Sequence, residues 1–293
     1  MNNILEVEGL NKYYKNFSLS NLSFTLPEGC IAGFIGINGA GKTTTIRTIL
    51  GLSKKTSGSV KIFGKDIEHN EHELKNRIGV VFDEGFFYDE LTMAEMKSII
   101  SPAYSGWSER DYRAYMERFC LDPRQKISTL SKGMRMKFAL TLALSHGAEL
   151  LIMDEPTSGL DPLIRSQFLD IMADYMKRGG KGVLFSTHII SDLDKIADMI
   201  ILIHKGEILF EKEKDYLLDN YRLIKGDKRY VDESSRNLFL KLTATDFGFT
   251  GITHKIYEVK KNMKDILVER PTIEDIMLAY IGGGEDNNAV SSH

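Results

Sequence analysis

The stretch Gly36-Ile37-Asn38-Gly39-Ala40-Gly41-Lys42-Thr43 decides the fold. It has the spacing of a phosphate-binding P-loop: a glycine, four residues, then Gly-Lys-Thr. The apolar run Ile31-Ala32-Gly33-Phe34-Ile35 before it reads as a buried strand. Behind it, Thr44-Thr45-Ile46-Arg47-Thr48-Ile49-Leu50 reads as a helix. Glycine lacks a Cβ, so such a loop can wrap a phosphate chain and turn several N–H groups inward. The helix N-terminus behind it adds roughly half a positive charge. On this reading Asn38, Gly39, Ala40, Gly41 and Thr44 surround the phosphates, and Lys42 reaches the terminal ones. The Thr43 hydroxyl then holds Mg²⁺. The spacing predicts a nucleoside triphosphate ligand.

A second segment completes that site. Leu150-Leu151-Ile152-Met153-Asp154-Glu155 is an apolar strand ending in two acids, the layout of a Walker B segment. Ligands of an open parallel sheet lie beyond the carboxyl ends of its strands, so Asp154 is expected beside the loop as a metal residue. Glu155 points differently and suits the polarising of a water for in-line attack on the γ-phosphate.

From Glu155 the chain runs into Pro156-Thr157-Ser158-Gly159-Leu160-Asp161, and Phe185-Ser186-Thr187-His188 closes another apolar strand. Upstream lies Leu130-Ser131-Lys132-Gly133-Met134. Five elements in this order resemble the ATP-binding cassette (ABC) ATPases, the motor subunits of ABC transporters, over about residues 4 to 212. The resemblance implies an α/β fold: a mixed sheet with a RecA-like parallel part, an antiparallel β subdomain and a helical subdomain. It also implies ATP and Mg²⁺ as cofactors, a second ATPase subunit (identical or paralogous), a separate transmembrane permease, and a place on the cytoplasmic face of the membrane.

The resemblance carries roles as well. Ser131 and Gly133 would contact the γ-phosphate bound by a partner subunit, at the start of a helix-like run from Met136 to Ser145. His188 matches the switch histidine that holds the Glu155–water geometry. Asp161 matches a loop that crosses the dimer interface. Tyr14 matches the aromatic that stacks on adenine, with Tyr13 as its rival and the spacing after Leu10 favouring Tyr14. Two positions depart from the family pattern. Lys132-Gly133-Met134 stands where Gly-Gly-Gln is usual, and Asp83, with Glu84 as its rival, stands where a Mg²⁺-binding Gln is usual. A carboxylate can bind Mg²⁺ through oxygen but cannot donate a hydrogen bond as an amide does.

Composition sets the limits. A chain of 293 residues is long enough for a large domain plus a small one. A net charge of −3 gives no case for a nucleic-acid partner. Cys30 and Cys120 lack metal-ligand spacing and suit a reducing compartment. No apolar run reaches the ~20 residues of a membrane span, and the N-terminus does not read as a signal peptide.

Residues 1–212 are therefore expected to form the nucleotide-binding domain, with a helical subdomain at about 91–145. Within it Trp107, Phe86, Phe87 and Tyr88 are candidates to line the groove that receives the permease in the family. Residues 213–281 are expected to form a small α+β extension, with strand-like pieces at Leu238–Thr243 and Lys255–Val259, and 282–293 a disordered tail. The Lys-Gly-Met signature, the Asp83 segment and the Pro271-Thr272-Ile273-Glu274-Asp275 ending resemble bacterial exporters of peptides, antibiotics or lipids. The alternatives are a soluble repair or ribosomal ABC protein and a weakly hydrolysing scaffold. Repair members carry a long coiled coil for which residues 44–129 leave no room, and ribosomal members usually carry two cassettes.

Overall fold

A computed structural model describes residues 2–83, 86–179 and 181–289, without the side chains of residues 233, 234 and 283–289. The chain divides into two units, Met1–Glu211 and Lys212–His293.

In the first unit, β1 (Asn3–Tyr13) and β2 (Ser18–Pro27) lead into β3 (Cys30–Ile35), the glycine loop and α1 (Lys42–Ile49). Next come β4 (Ser57–Ile62), β5 (Lys65–Asp66), α2 (Glu71–Lys75) and β6 (Ile78–Phe82). A helical stretch holds α3 (Met93–Ile100), α4 (Glu109–Arg118) and α5 (Lys132–Leu144). The chain returns through β7 (Leu150–Asp154), α6 (Pro162–Lys177), β8 (Gly182–Thr187), α7 (Ile190–Ile196), β9 (Met199–His204) and β10 (Glu207–Glu213).

Every residue of β7 and β8 is buried, as is all of β3 beyond Cys30. Strands apolar on both faces belong inside a sheet covered on both sides. They do lie inside, in the order β10-β9-β3-β8-β7-β6, with β9, β3, β8, β7 and β6 parallel. β10 returns through the two residues Lys205-Gly206, both at positive φ, as a tight hairpin requires. A four-stranded sheet, β2-β1-β4-β5, is antiparallel. One apolar cluster joins Leu5, Phe24 and Val60 of this sheet to Phe34, Ile152, Leu184 and Ile201 of the parallel one, with Ile46 and Ile49 of α1.

Register decides where the site lies. Phe82 pairs with Asp154, Asp154 with Ser186, and Ile35 with Thr187. The carboxyl ends of β6, β7, β8 and β3 thus stand level, and the residues that follow them face one place. The opposite ends are stitched together. Glu149 N–H donates to Arg77 O (2.8 Å), Lys181 N–H to Glu149 O (2.8 Å) and Gly29 N–H to Lys181 O (2.7 Å). The Glu149 carboxylate accepts from Arg77 Nε (2.5 Å) and Nη2 (3.1 Å) and pairs with Lys181 Nζ (2.8 Å).

The second unit contains α8 (Lys214–Asn220), β11 (Arg222–Gly226), α9 (Glu233–Arg236), β12 (Lys241–Thr245), β13 (Gly248–Thr253), α10 (Ile256–Asn262), β14 (Leu267–Glu269) and α11 (Ile273–Ala289). Its antiparallel sheet runs β12-β13-β11-β14. Thr272 opens α11: its hydroxyl accepts from Asp275 N–H (3.1 Å), and Asp275 accepts in return from Thr272 N–H (2.9 Å).

Three expectations differ from the structure. Lys255–Val259 belongs to a helix, not a strand, because Ile256, Val259 and Met263 share one face against the small core around Ile224 and Phe249. The expected disordered tail from Gly282 is instead helical through Ala289. Glycine costs about 1 kcal/mol in a helix but keeps its N–H, so a helix already started can run through it. Residues 290–293 lie outside the described residues. The expected helix from Met136 begins four residues earlier, at Lys132, because the Ser131 hydroxyl accepts from Met134 N–H (3.3 Å) as N-cap. Among the described residues no helix is long and apolar enough to cross a membrane.

The stitched edge generates a pH prediction. Hydrogen bonds from Arg77, then Lys181, hold the Glu149 carboxyl down at about 2, from 4.5. A folded-state value below the unfolded one stabilises the fold fully above about pH 4.5 and loses that effect as pH falls through about 2. Glu149→Gln is expected to cost roughly 1 kcal/mol at pH 7, since the pairs are partly screened by solvent. In urea unfolding the deficit should shrink as pH falls from about 4.5 towards 2; a deficit constant with pH would contradict this role.

Candidate nucleotide-binding site

The loop between β3 and α1 is built for close approach. A Cβ on Gly36 would lie 2.4 Å from the Ile203 carbonyl of β9, so only glycine fits there. Gly39 and Gly41 take φ of 80° and 116°, which other residues reach only under strain. Helix α1 starts at Lys42 behind the N-cap Gly41, with no side-chain cap and no acid in its first turn. Its leading N–H groups therefore meet no side-chain acceptor, which makes the helix end an anion site. Beside it is a cavity of about 640 Å³ lined by Phe17, Asn38, Gly39, Ala40, Gly41, Lys42, Thr43, Thr44, Asp83, Glu155, Ser158 and His188.

Lys42 is 6% exposed. Its ammonium donates to Gly36 O (2.7 Å) and pairs with Glu155 Oε1 (3.1 Å). The other Glu155 oxygen meets His188 Nδ1 at 2.7 Å. Glu155 thus bridges cation and imidazole at the cavity wall. Its own backbone sits at φ 51°, a conformation of order 1–3 kcal/mol above the usual wells for a residue with a side chain. It is held there by its N–H, which donates to Ser186 O (3.1 Å) and Oγ (3.2 Å).

Asp154 is buried and is not part of the cavity lining. Its Oδ1 accepts the Ser186 hydroxyl at 2.6 Å. Ser186 therefore serves both acids, donating to one side chain and accepting from the backbone of the next. Sequence reading passed over it, although a hydroxyl one residue before Thr187-His188 was the available signal.

The two departures from the family pattern meet each other. Lys132 Nζ lies 2.5 Å from Asp83 Oδ1, and the lysine stem runs along Gly159, where an added Cβ would meet Nζ at 3.4 Å. The pair is ionic contact rather than an aligned hydrogen bond, since the buried Oδ1 finds no hydrogen-bond donor. Glu84, the rival of Asp83, lies outside the described residues.

The remaining candidates sit elsewhere. Ser131 and Gly133 form the start of α5, away from this cavity's lining. Asp161 caps α6, accepting from Leu163 N–H and Ile164 N–H at 3.0 Å each. Tyr14 is half exposed, with its hydroxyl 3.1 Å from Ser53 Oγ and Lys12 Nζ 5.1 Å from its ring centre. Tyr13 is 60% exposed. The aromatic that lines the cavity is Phe17, whose ring lies 2.9 Å from where a Gly41 Cβ would be. Its closeness in sequence to Tyr14 was the only signal for it.

Comparison with known proteins gives a consistent picture. The family model described as "ABC transporter" matches residues 19–158. The chain is 30% identical to the bacitracin transport ATP-binding protein BcrA of Enterococcus faecalis, over 97% of this chain and 98% of that one. It is 32% identical to the lantibiotic transport ATP-binding protein SrtF of Streptococcus pyogenes, over 72% of this chain and 92% of the other. A solved structure of the ATP-binding subunit of an ABC transporter superposes with a TM-score of 0.67 at 29% identity, covering 74% of this chain and 92% of that one.

Removing the Ser186 hydroxyl takes a donor from buried Asp154 and an acceptor from Glu155. Ser186→Ala is expected to cost about 1–3 kcal/mol in denaturant unfolding; a cost under about 0.5 kcal/mol would show that the hydroxyl is not needed.

Proposed function

The chain belongs to the ATP-binding subunits of the ABC transporter family and is an ATPase of that family, and on that premise we propose that it is the motor of a bacterial exporter. The observation that carries the reading is the Glu155 carboxylate set between Lys42 and His188 on the wall of a cavity framed by helix-end N–H groups. Lys42 and the backbone of 38–44 bind the phosphates of ATP. Incoming phosphate oxygens take over Lys42 and leave Glu155 paired with His188, in position to accept a proton from the attacking water. Asp154, just behind it, is fixed by Ser186.

Mg²⁺ fits the donor set, which is all hard oxygen: the Thr43 hydroxyl, Asp154 and Asp83. No cluster of three acidic, histidine or cysteine side chains forms a metal cage among the described residues. A site of one or two carboxylates completed by substrate phosphates is the usual magnesium arrangement. When bound, the ion neutralises charge on the β- and γ-phosphates. Asp83 can join only after Lys132 has moved off it.

Phe17 or Tyr14 presents an aromatic face to the adenine. Ser131 and Gly133 at the start of α5, with Asp161 at the start of α6, serve a second cassette, identical or paralogous. Coupling to a transmembrane permease, on the cytoplasmic face of the membrane, uses the cavity lined by Val80, Phe82, Phe86, Phe87, Ile100, Tyr104 and His146. Trp107 and Tyr88 do not line it. The cargo class, peptide antibiotics or related amphipathic molecules, is supported by the relatives named for bacitracin and lantibiotic transport.

Glu155→Gln preserves the shape of the carboxylate and removes its basicity. ATP turnover is expected to fall by about 10²–10⁴ while ATP binding persists, and turnover near wild type would refute the assigned role. Lys42→Ala removes the phosphate-facing cation and is expected to abolish ATP binding in a nucleotide titration; unchanged affinity would contradict the site.

A further inference from the structure

Asp192 is not part of the cavity lining, yet its side chain is only 2% exposed. A buried carboxylate is costly unless it is paired and hydrogen-bonded, and burial pushes this carboxyl up from its ordinary value. Its partners come from two further segments. Oδ2 accepts the hydroxyl of Thr157, itself fully buried, at 2.8 Å. Oδ1 lies 3.8 Å from Arg165 Nε, a buried nitrogen with no hydrogen-bond partner.

Each partner is short chain distance from a residue of the site. Thr157 is two residues beyond Glu155, in a segment closed by the Ser158 N–H to Glu155 O (3.1 Å) and Leu160 N–H to Thr157 O (3.2 Å) turns. Arg165 is one helical turn beyond Asp161 and donates its backbone N–H to Asp161 O (3.0 Å). Asp192 itself is four residues beyond His188, in the first turn of α7. Three segments, carrying Glu155, His188 and Asp161, therefore converge on one carboxylate.

We infer that Asp192 is a positioning residue that locks the Glu155 loop, the His188 turn and the Asp161 helix into one arrangement through Thr157 and Arg165. The inference rests on the proposed roles of Glu155 and His188. The carboxylate does not line the nucleotide cavity. Its effect passes through Thr157 to the carboxylate that must be aimed at the attacking water, where small misplacements are expensive in rate. Nucleotide binding depends on the glycine loop and is left alone.

The test uses Thr157→Val, which keeps the shape and removes the hydroxyl, with Thr157→Ser, which restores the hydroxyl, and Asp192→Asn. All are compared in the full chain for kcat, ATP affinity and thermal midpoint. Thr157→Val and Asp192→Asn are expected to lower kcat about tenfold to a hundredfold, with ATP affinity within about twofold. Thr157→Ser should recover most of kcat. Wild-type kcat in a folded Thr157→Val would overturn the inference. So would a parallel fall of kcat, ATP affinity and thermal midpoint that Thr157→Ser does not rescue, since that is the mark of a merely structural contact. If Asp192→Asn fails to fold, the Thr157 pair decides the matter. A Glu155→Gln control at wild-type turnover would overturn the reading of the site, and the inference with it.

Discussion

The ammonium of Lys42 is the constraint on which the site depends. A buried cation must be met by opposite charge and by hydrogen-bond acceptors. Here the Gly36 carbonyl and the Glu155 carboxylate supply both. A phosphate chain has the charge and the oxygens to replace Glu155 on that lysine while also capping the open end of α1. Glu155, once displaced, still has His188 at 2.7 Å. On the proposed function, binding and activation are thereby linked: the phosphate that takes the lysine also releases the carboxylate for chemistry.

The sheet makes this linkage possible. Parallel register brings the ends of β3, β6, β7 and β8 to one level. Glycine loop, Asp83, the Asp154-Glu155 pair and His188 each follow one of those ends. Ser186 then orders the two acids from the neighbouring strand, and Asp192 ties together the segments that continue from them. The strain at Glu155 is sustained because hydrogen bonds on both sides of the residue fix its position.

Contiguous chemistry was legible in the sequence, and pairings across the fold were not. The glycine loop, Asp154, Glu155 and His188 announce themselves because the backbone geometry they need is local. Ser186 acts through strand register, which no local pattern displays. The Asp83–Lys132 pair joins residues 49 positions apart, so two departures that look independent in sequence prove to be mutual. Phe17 joins the cavity lining, beside the expected Tyr14 in sequence, because the chain turns between β1 and β2. In the second unit, the short apolar run around Val259 fits a strand or a helix equally well. Only its packing, with Met263 four residues on, selects the helix.

The most direct test of this exchange is a crystal structure of the chain with Mg²⁺ and a non-hydrolysable ATP analogue. Lys42 Nζ is expected on phosphate oxygens, with the Lys42–Glu155 pair broken and Glu155 still beside His188. A nucleotide bound with Lys42 still on Glu155 would contradict the exchange.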